Sequence, residues 1–401
     1  MNSNVPHLKM IPWIIFYGSA VLFATMDIYV PSLPMMQEYF STTEDMMQWT
    51  LTVNFMGSAI IGLFLGPLSD FFGRKRIIII GLIVYFIGSF LCVQSQNIEL
   101  FLFGRLLQSF GSSAQSVISL TIITDLFFGR ERAKMLSIIG IIFPVSFALA
   151  PIVGGKLQVL YGWQSSFIAI GLCVFVYFLL FCFYVPETLH TSKRVQINLK
   201  KVFADYKAFF KSRVFISYAS VQSLTIAIFM LYLANAPFFY MRGMGMSPDQ
   251  YSFFQAAPFI VQILGTFFAR DVLAKQGMNK AFLIGAYIYA LGFVAFLLSA
   301  FFFATNPYIV CLAACFPYVG SAFVFAVAIS KAMELFPHLA GTSSAVFAFL
   351  RTIIGAAFLG FGTQILDTSV LQVYIFMSSI MLMILGLIVY LLRTNLKAKE
   401  S

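Results

Sequence analysis

Apolar residues in this chain come in long continuous runs, not in the alternation of two or the three-to-four spacing of an element with one wet face. The stretch Ile11 to Pro31 is the first of them. A helix rises about 1.5 Å per residue, so ~20 apolar residues cross the ~30 Å hydrocarbon core of a bilayer. Marked off by glycine, proline and charge clusters, runs of that length predict transmembrane helices over 11–32, 47–68, 76–94, 98–121, 135–157 and 164–185, then 214–235, 250–270, 281–303, 308–330, 343–365 and 371–392. Between the two sets of six lies one substantial polar interruption, Glu187 to Arg213, with seven basic residues. The expected fold is therefore all-α and integral to a membrane. It has a six-helix bundle over 1–186, a linker over 187–213 whose Lys200 to Lys211 part can form a surface helix, and a second six-helix bundle over 214–401.

Composition sharpens this picture. Of the 401 residues 60% are hydrophobic and 10% are charged, against roughly 25% charged in a soluble domain, so no water-soluble fold could hide the apolar surface. The 48 phenylalanines suit lipid-facing helix surfaces, the expectation for most of them, or an aromatic cavity. Cys92, Cys173, Cys182, Cys311 and Cys315 fall inside apolar runs with no histidine or second acid beside them, which fits neither a disulfide framework nor a metal site. The polar stretch Met1 to Lys9 leads into a full-length span, so the first helix is expected to remain in the mature protein.

A net charge of +10 raises the question of nucleic acid, and placement answers it. With the N-terminus taken as cytoplasmic, the cytoplasmic segments hold 21 of the 25 basic residues, including Arg74, Lys75 and Arg76, Arg130, Arg132 and Lys134, and the seven of the linker. The opposite side holds Lys156 and Arg242, and Arg105 and Arg351 lie within spans. That asymmetry is what the positive-inside rule requires of an even number of helices with both ends in the cytoplasm. The basic excess thus reads as topology and contact with lipid headgroups, with no nucleic-acid partner.

Other classes drop out in turn. There is no phosphate-binding loop of the GxxxxGK(S/T) kind and no room for a nucleotide-binding domain, which excludes transport driven by ATP hydrolysis on this chain. The three histidines, His7, His190 and His338, lie outside span centres, so the paired catalytic residues of an intramembrane hydrolase are missing and no enzyme is expected. No polar stripe or acidic ring marks a channel.

The hairpin after the second span reads Gly66-Pro67-Leu68-Ser69-Asp70-Phe71-Phe72-Gly73-Arg74-Lys75-Arg76. It resembles the signature G-x-L-a-D-r-x-G-r-(R/K)-(R/K) of the major facilitator superfamily, with Phe71 where arginine is common. Gly66 and Gly73 are expected to allow tight turning and close helix approach, and Arg74, Lys75 and Arg76 to bind headgroups. The resemblance implies that Asp70 pairs with a loop arginine and with the positive end of span eleven, closing the cytoplasmic side as a gate. Arg105-Leu106-Leu107-Gln108-Ser109-Phe110-Gly111 resembles the family's R-x-x-q-G-x-g element, with Ser109 for the first glycine. Ser137, Ser146, Ala150, Pro151, Gly154 and Gly155 follow the spacing of its antiporter element, with small residues replacing three glycines. Asp27-Ile28-Tyr29-Val30-Pro31-Ser32-Leu33-Pro34 looks like the first-helix signature of the bicyclomycin-resistance (Bcr/CflA-like) drug:proton antiporters. In the second half a worn echo of the hairpin element remains at Gly265, Arg270, Asp271 and Gly277.

Among the fifteen acidic residues, Asp27 alone lies well inside a span. A buried carboxylate costs several kcal/mol unless it is paired, protonated or wetted. Counted along straight helices, Asp27 and Arg105 sit at matching depths of roughly 8 and 10 Å from the outer ends of their spans, and Arg351 lies nearer the midplane in the other half. Asp27 with Arg105 is therefore the expected proton-coupling pair. Burial favours the neutral acid and a guanidinium favours the carboxylate, so a changing cavity can load and unload a proton. Tyr29, Asn54, Gln115, Gln222, Tyr232, Asn235, Gln255 and Arg351 are expected to line the substrate cavity.

With the resemblance, which alone implies export and the drug-like cargo class, these readings lead to the expectation of a proton-coupled exporter of small, moderately apolar or drug-like molecules. It has no bound cofactor, acts as a monomer, and sits as a multi-pass protein in a bacterial inner membrane. The alternative is a dedicated carrier of one metabolite such as a siderophore, with import as well as export open to it.

Overall fold

The computed structural model describes residues 10–189, 209–336, 340–365 and 369–400. Most of the linker, including the expected surface helix from Lys200, lies outside these residues, as do all three histidines and the side chain of Ser137. Every regular element described is helical. Eleven of the described helices are long and apolar enough to cross a membrane, and a shorter apolar one precedes them.

The first expected span is not one helix. α1 (Ile11–Ala24) stops after 14 residues, an irregular turn carries Asp27, a 3₁₀ turn spans Val30–Ser32, and α2 (Leu33–Tyr39) follows. The cause is in the sequence: Pro31 and Pro34 lack the N–H an α-helix needs, and their rings clash with the carbonyls of Asp27 and Val30 four residues back. The chain compensates with tighter bonds, Asp27 N to Ala24 O at 3.2 Å and Val30 N to Asp27 O at 3.1 Å.

The remaining elements are α3 (Glu44–Phe72), α4 (Arg74–Gln94), α5 (Ile98–Leu126), α6 (Gly129–Tyr161), α7 (Gln164–Tyr184), α8 (Arg213–Pro237), α9 (Pro248–Gln276), α10 (Met278–Phe302), α11 (Pro307–Glu334), α12 (Ala340–Ile365) and α13 (Val370–Glu400). Their ends carry recognisable signals. The Asn97 and Ser212 side chains accept from the backbones of Leu100 and Phe215, and Ser247 with Gln250 forms a capping box. Gly73 at φ 103° is the entire connection between α3 and α4, a conformation that strains any residue bearing a Cβ. Gly66 needs no such freedom. It lies inside α3 rather than in the turn, and nothing stands within 4 Å of where its Cβ would be, so the expected turning and close-approach role fails there.

The chain divides into two compact units, Met1–Thr42 with Val53–Ile197 and Thr43–Thr52 with Asn198–Ser401. The boundary falls within the polar interruption, and the first residues of α3 cluster with the second unit. In the first unit, α4 and α5 pack backbone to backbone: a Cβ on Gly88 would meet the Gly104 carbonyl at 2.6 Å. Ile78, Leu82, Ile118, Ile122 and Val174 fill the core around that seam. In the second unit α8 is central, with residues 221–237 buried on every side. Large side chains such as Phe90, Phe183, Phe268 and Phe302 stay exposed, a pattern that a lipid solvent explains and water does not.

Candidate functional site

The broken stretch after α1 is the best-built site in the first unit. Asp27 is fully buried there. Arg105, itself 1% exposed, reaches the same turn from α5. Its Nη1 donates to the Thr25 carbonyl at 3.4 Å and to Gln108 Oε1 at 2.6 Å, and its guanidinium carbon lies 4.4 Å over the Tyr29 ring. The guanidinium thus touches residues two positions before and two after Asp27. Gln108 is held in turn by Ser89 Oγ at 2.9 Å. Arg105 Nε and Nη2 meet no hydrogen-bond acceptor among the described residues.

Straight-helix counting of depth does not apply beyond Ala24, so this approach comes from the break and not from the ruler. α6 clamps the break from its other side. A Cβ on Gly154 would sit 1.7 Å from the Ile28 carbonyl oxygen, so backbone meets backbone one residue from the acid. Pro151 and Gly155 are buried beside it on α6. Gly154 of the expected antiporter element therefore serves close contact with the Asp27 turn.

At the hairpin, Asp70 Oδ1 pairs with Arg74 Nη2 at 2.6 Å, and Arg74 Nε reaches Asp125 Oδ2 at 3.5 Å. Arg74 Nη1 also donates to Ser69 Oγ. Arg74 is only 6% exposed, which corrects its expected role at the headgroups: two carboxylates draw it inward. Glu187, at the end of the first unit, accepts from the backbone N–H groups of Arg74 and Lys75 at 3.0 and 3.2 Å. A carboxylate on the free N–H groups of a helix start stabilises it. Asp125 and Glu187 were not singled out in the sequence, since each lies far along the chain from Arg74. Glu187→Ala is expected to lower stability by ~0.5–2 kcal/mol, as loss of a helix cap does, read as a fall in unfolding temperature in detergent.

The expected cavity residues separate into ties and others. Asn54 Nδ2 donates to the Arg105 carbonyl at 3.0 Å, joining α3 to α5. Gln115 Nε2 donates to Ile15 O and Ser19 Oγ, both at 3.3 Å, and its Oε1 accepts from the Tyr177 hydroxyl, joining α5 to α1 and α7. Tyr29 packs on Phe101 and Phe167 beneath Arg105. Asn235 Nδ2 donates to Leu231 O at 2.8 Å and its Oδ1 accepts from Gln48 Nε2 at 3.0 Å. Tyr232 and Gln255 belong to one aromatic cluster, the first through Tyr240 at 3.4 Å, the second accepting from Tyr251 at 2.8 Å. Tyr240 and Tyr251 join them, with ring centroids 6.0 Å apart.

Gln222 is fully buried, and Arg351 is half-buried with its guanidinium 5.8 Å from the Phe325 ring centre. A groove of about 510 Å³ lined by Ser220, Leu224, Ile354, Phe358 and Met383 is apolar. It takes the face of α8 opposite Gln222 and holds none of the expected residues.

Comparison with known proteins bears on the fold and the family. Residues 15–360 match the family model described as Major Facilitator Superfamily. A bicyclomycin resistance protein homolog of Haemophilus influenzae is 26% identical over 344 residues, covering 82% of this chain and 83% of that protein. The multidrug resistance protein MdtL of Shewanella sp. is 25% identical over 350 residues, covering 86% of each. Among solved structures, a D-xylose–proton symporter superposes with a TM-score of 0.78 at 15% identity, over 95% of this chain and 97% of that one. The fold, the sequence match and the apolar helices agree: this chain is a multi-pass membrane transporter, not an enzyme, and belongs to the major facilitator superfamily.

Proposed function

We propose that the protein exchanges protons for small, moderately apolar or drug-like molecules, exporting them across a bacterial inner membrane by alternating access as a monomer. The reading takes twelve spans with both ends cytoplasmic, which the distribution of basic residues supports. The printed names of the bicyclomycin-resistance and multidrug-resistance relatives support the cargo class.

One observation carries the proposal: a fully buried aspartate sits where the first span is broken, with a buried arginine packed against the residues on both sides of it. Burial favours the protonated acid and the arginine favours the carboxylate, so a small rearrangement of the turn changes which form is held. When the turn meets water on the side of high proton concentration the acid loads. When Arg105 closes on it the proton leaves, and cargo binds in its place. Competition between proton and cargo for one unit is what makes the exchange obligatory. Asp70, Gly73 and Arg74 act in the cytoplasmic gate, and Pro151, Gly154 and Gly155 hold the coupling turn to α6.

The test is flux in proteoliposomes with an imposed pH gradient and a panel of neutral, cationic and anionic compounds. Efflux of at least one compound is expected to follow the gradient and to stop when an ionophore collapses it. Flux indifferent to the gradient, or uptake in the proton direction, would reject proton-driven export and favour a metabolite importer.

A further inference from the structure

Arg351 poses a separate question, because the proton-coupling account makes no use of it. It is a permanent cation within a span of the second unit. Among the described residues no carboxylate lies within ion-pairing reach of it, and the Phe325 ring stands beside its guanidinium. The acids of the second half, Asp249, Asp271, Glu334, Asp367 and Glu400, stand at span ends or between spans. A ring face offers a guanidinium far less than a counter-charge does in a medium from which water is excluded. Half-buried and with no carboxylate beside it among the described residues, the guanidinium is open to a counter-charge supplied from outside the unit's own side chains.

A second unsatisfied group stands at the same level. Phe347 and Gly355 of α12 meet Phe215 and the pair Ile226 and Met230 of α8, so the two helices run parallel, and Arg351, midway between 347 and 355, is level with Gln222. Tyr318 and Phe336 meet Phe229 and Phe215, so α11 runs antiparallel to α8 and Phe325 also falls at Gln222. Gln222 shares one face of α8 with Ile226 and Phe229, which are turned to α12 and α11. The residue is 0% exposed, and among the described residues neither Nε2 nor Oε1 has a hydrogen-bond partner. A buried amide with four unused bonding positions marks a site that is completed by something else.

We infer that Arg351, Gln222 and Phe325 form a subsite for the carboxylate of a small aromatic or apolar organic acid. The carboxylate oxygens accept from the guanidinium, the Gln222 amide N–H donates to the same group, and Phe325 bounds the apolar body. This rests on the transport reading above and names a cargo class for it. Gln222 is closed over in the present conformation, so its bond forms when α8, α11 and α12 shift during the cycle, whereas half-buried Arg351 provides the first contact.

The experiment uses the purified full-length protein in detergent without a gradient, with thermal unfolding and binding followed for 2-naphthoate, its neutral counterpart 2-naphthamide, and sodium chloride. Stabilisation by 2-naphthoate, with at least tenfold weaker effect of the amide, is expected. Arg351→Gln should lose the effect, Arg351→Lys should keep part of it, and Gln222→Leu should weaken it several-fold, all with wild-type size-exclusion profiles. Equal stabilisation by the amide, by chloride or by added phosphatidylglycerol, or an unchanged effect in Arg351→Gln, overturns the assignment. Since no gradient is involved, loss of this subsite with intact proton-driven flux would leave the coupling proposal standing. The reverse result would sink only the coupling.

Discussion

Asp27→Asn is expected to abolish gradient-driven movement of cargo while the protein still inserts in the membrane and exchanges cargo without a gradient. The substitution keeps the shape of a fully buried side chain and removes only its ability to bind and lose a proton. Coupling should fall by at least on the order of a hundredfold, the lower end of what loss of a required proton-transfer group costs. Transport by proteoliposomes with and without a pH gradient measures it. Full coupled turnover in the variant would reject the role given to this acid.

Gly154→Val is expected to be comparably damaging, for a geometric reason. The Ile28 carbonyl oxygen lies 1.7 Å from where a Cβ would stand, and it is backbone, so it cannot turn aside as a flexible side chain could. α6 and the Asp27 turn must separate by more than an ångström. A displacement of that size at a reacting group costs on the order of a hundredfold in rate. Gly66→Ala is the control, because the space around Gly66 is open and alanine favours the helix that Gly66 occupies. Both are glycines of family-like motifs. Wild-type flux in Gly154→Val, or its loss in Gly66→Ala, would contradict this account of contact.

How much of this was visible in the sequence depended on the range of the interactions. The helices were legible because continuous apolar runs and the placement of Lys and Arg are local properties read one segment at a time. The break in the first span was announced by Pro31 and Pro34, yet a hydropathy window passes over two prolines in an otherwise apolar run. The approach of Arg105 to Thr25 and Tyr29, the seating of Ile28 on Gly154, and the convergence of Asp125 and Glu187 on Arg74 join residues far apart in the chain. No spacing rule reports such meetings. Asn54 and Gln115 show a second limit of the sequence. A polar residue in a span draws attention as cavity lining, but in this structure both satisfy their amides by tying helices together. Gln222 looks the same in sequence and differs in finding no partner among the described residues.

The idea on which the account turns is that cargo and proton compete through the buried acid of the first span. The most direct measurement is proton release from purified protein in weakly buffered detergent when a transported compound is added, followed with a pH-sensitive dye. Wild-type protein is expected to release protons on binding, with a signal that saturates with the compound, and Asp27→Asn to bind it with no release. Binding without release in the wild type, or equal release in Asp27→Asn, would contradict the account.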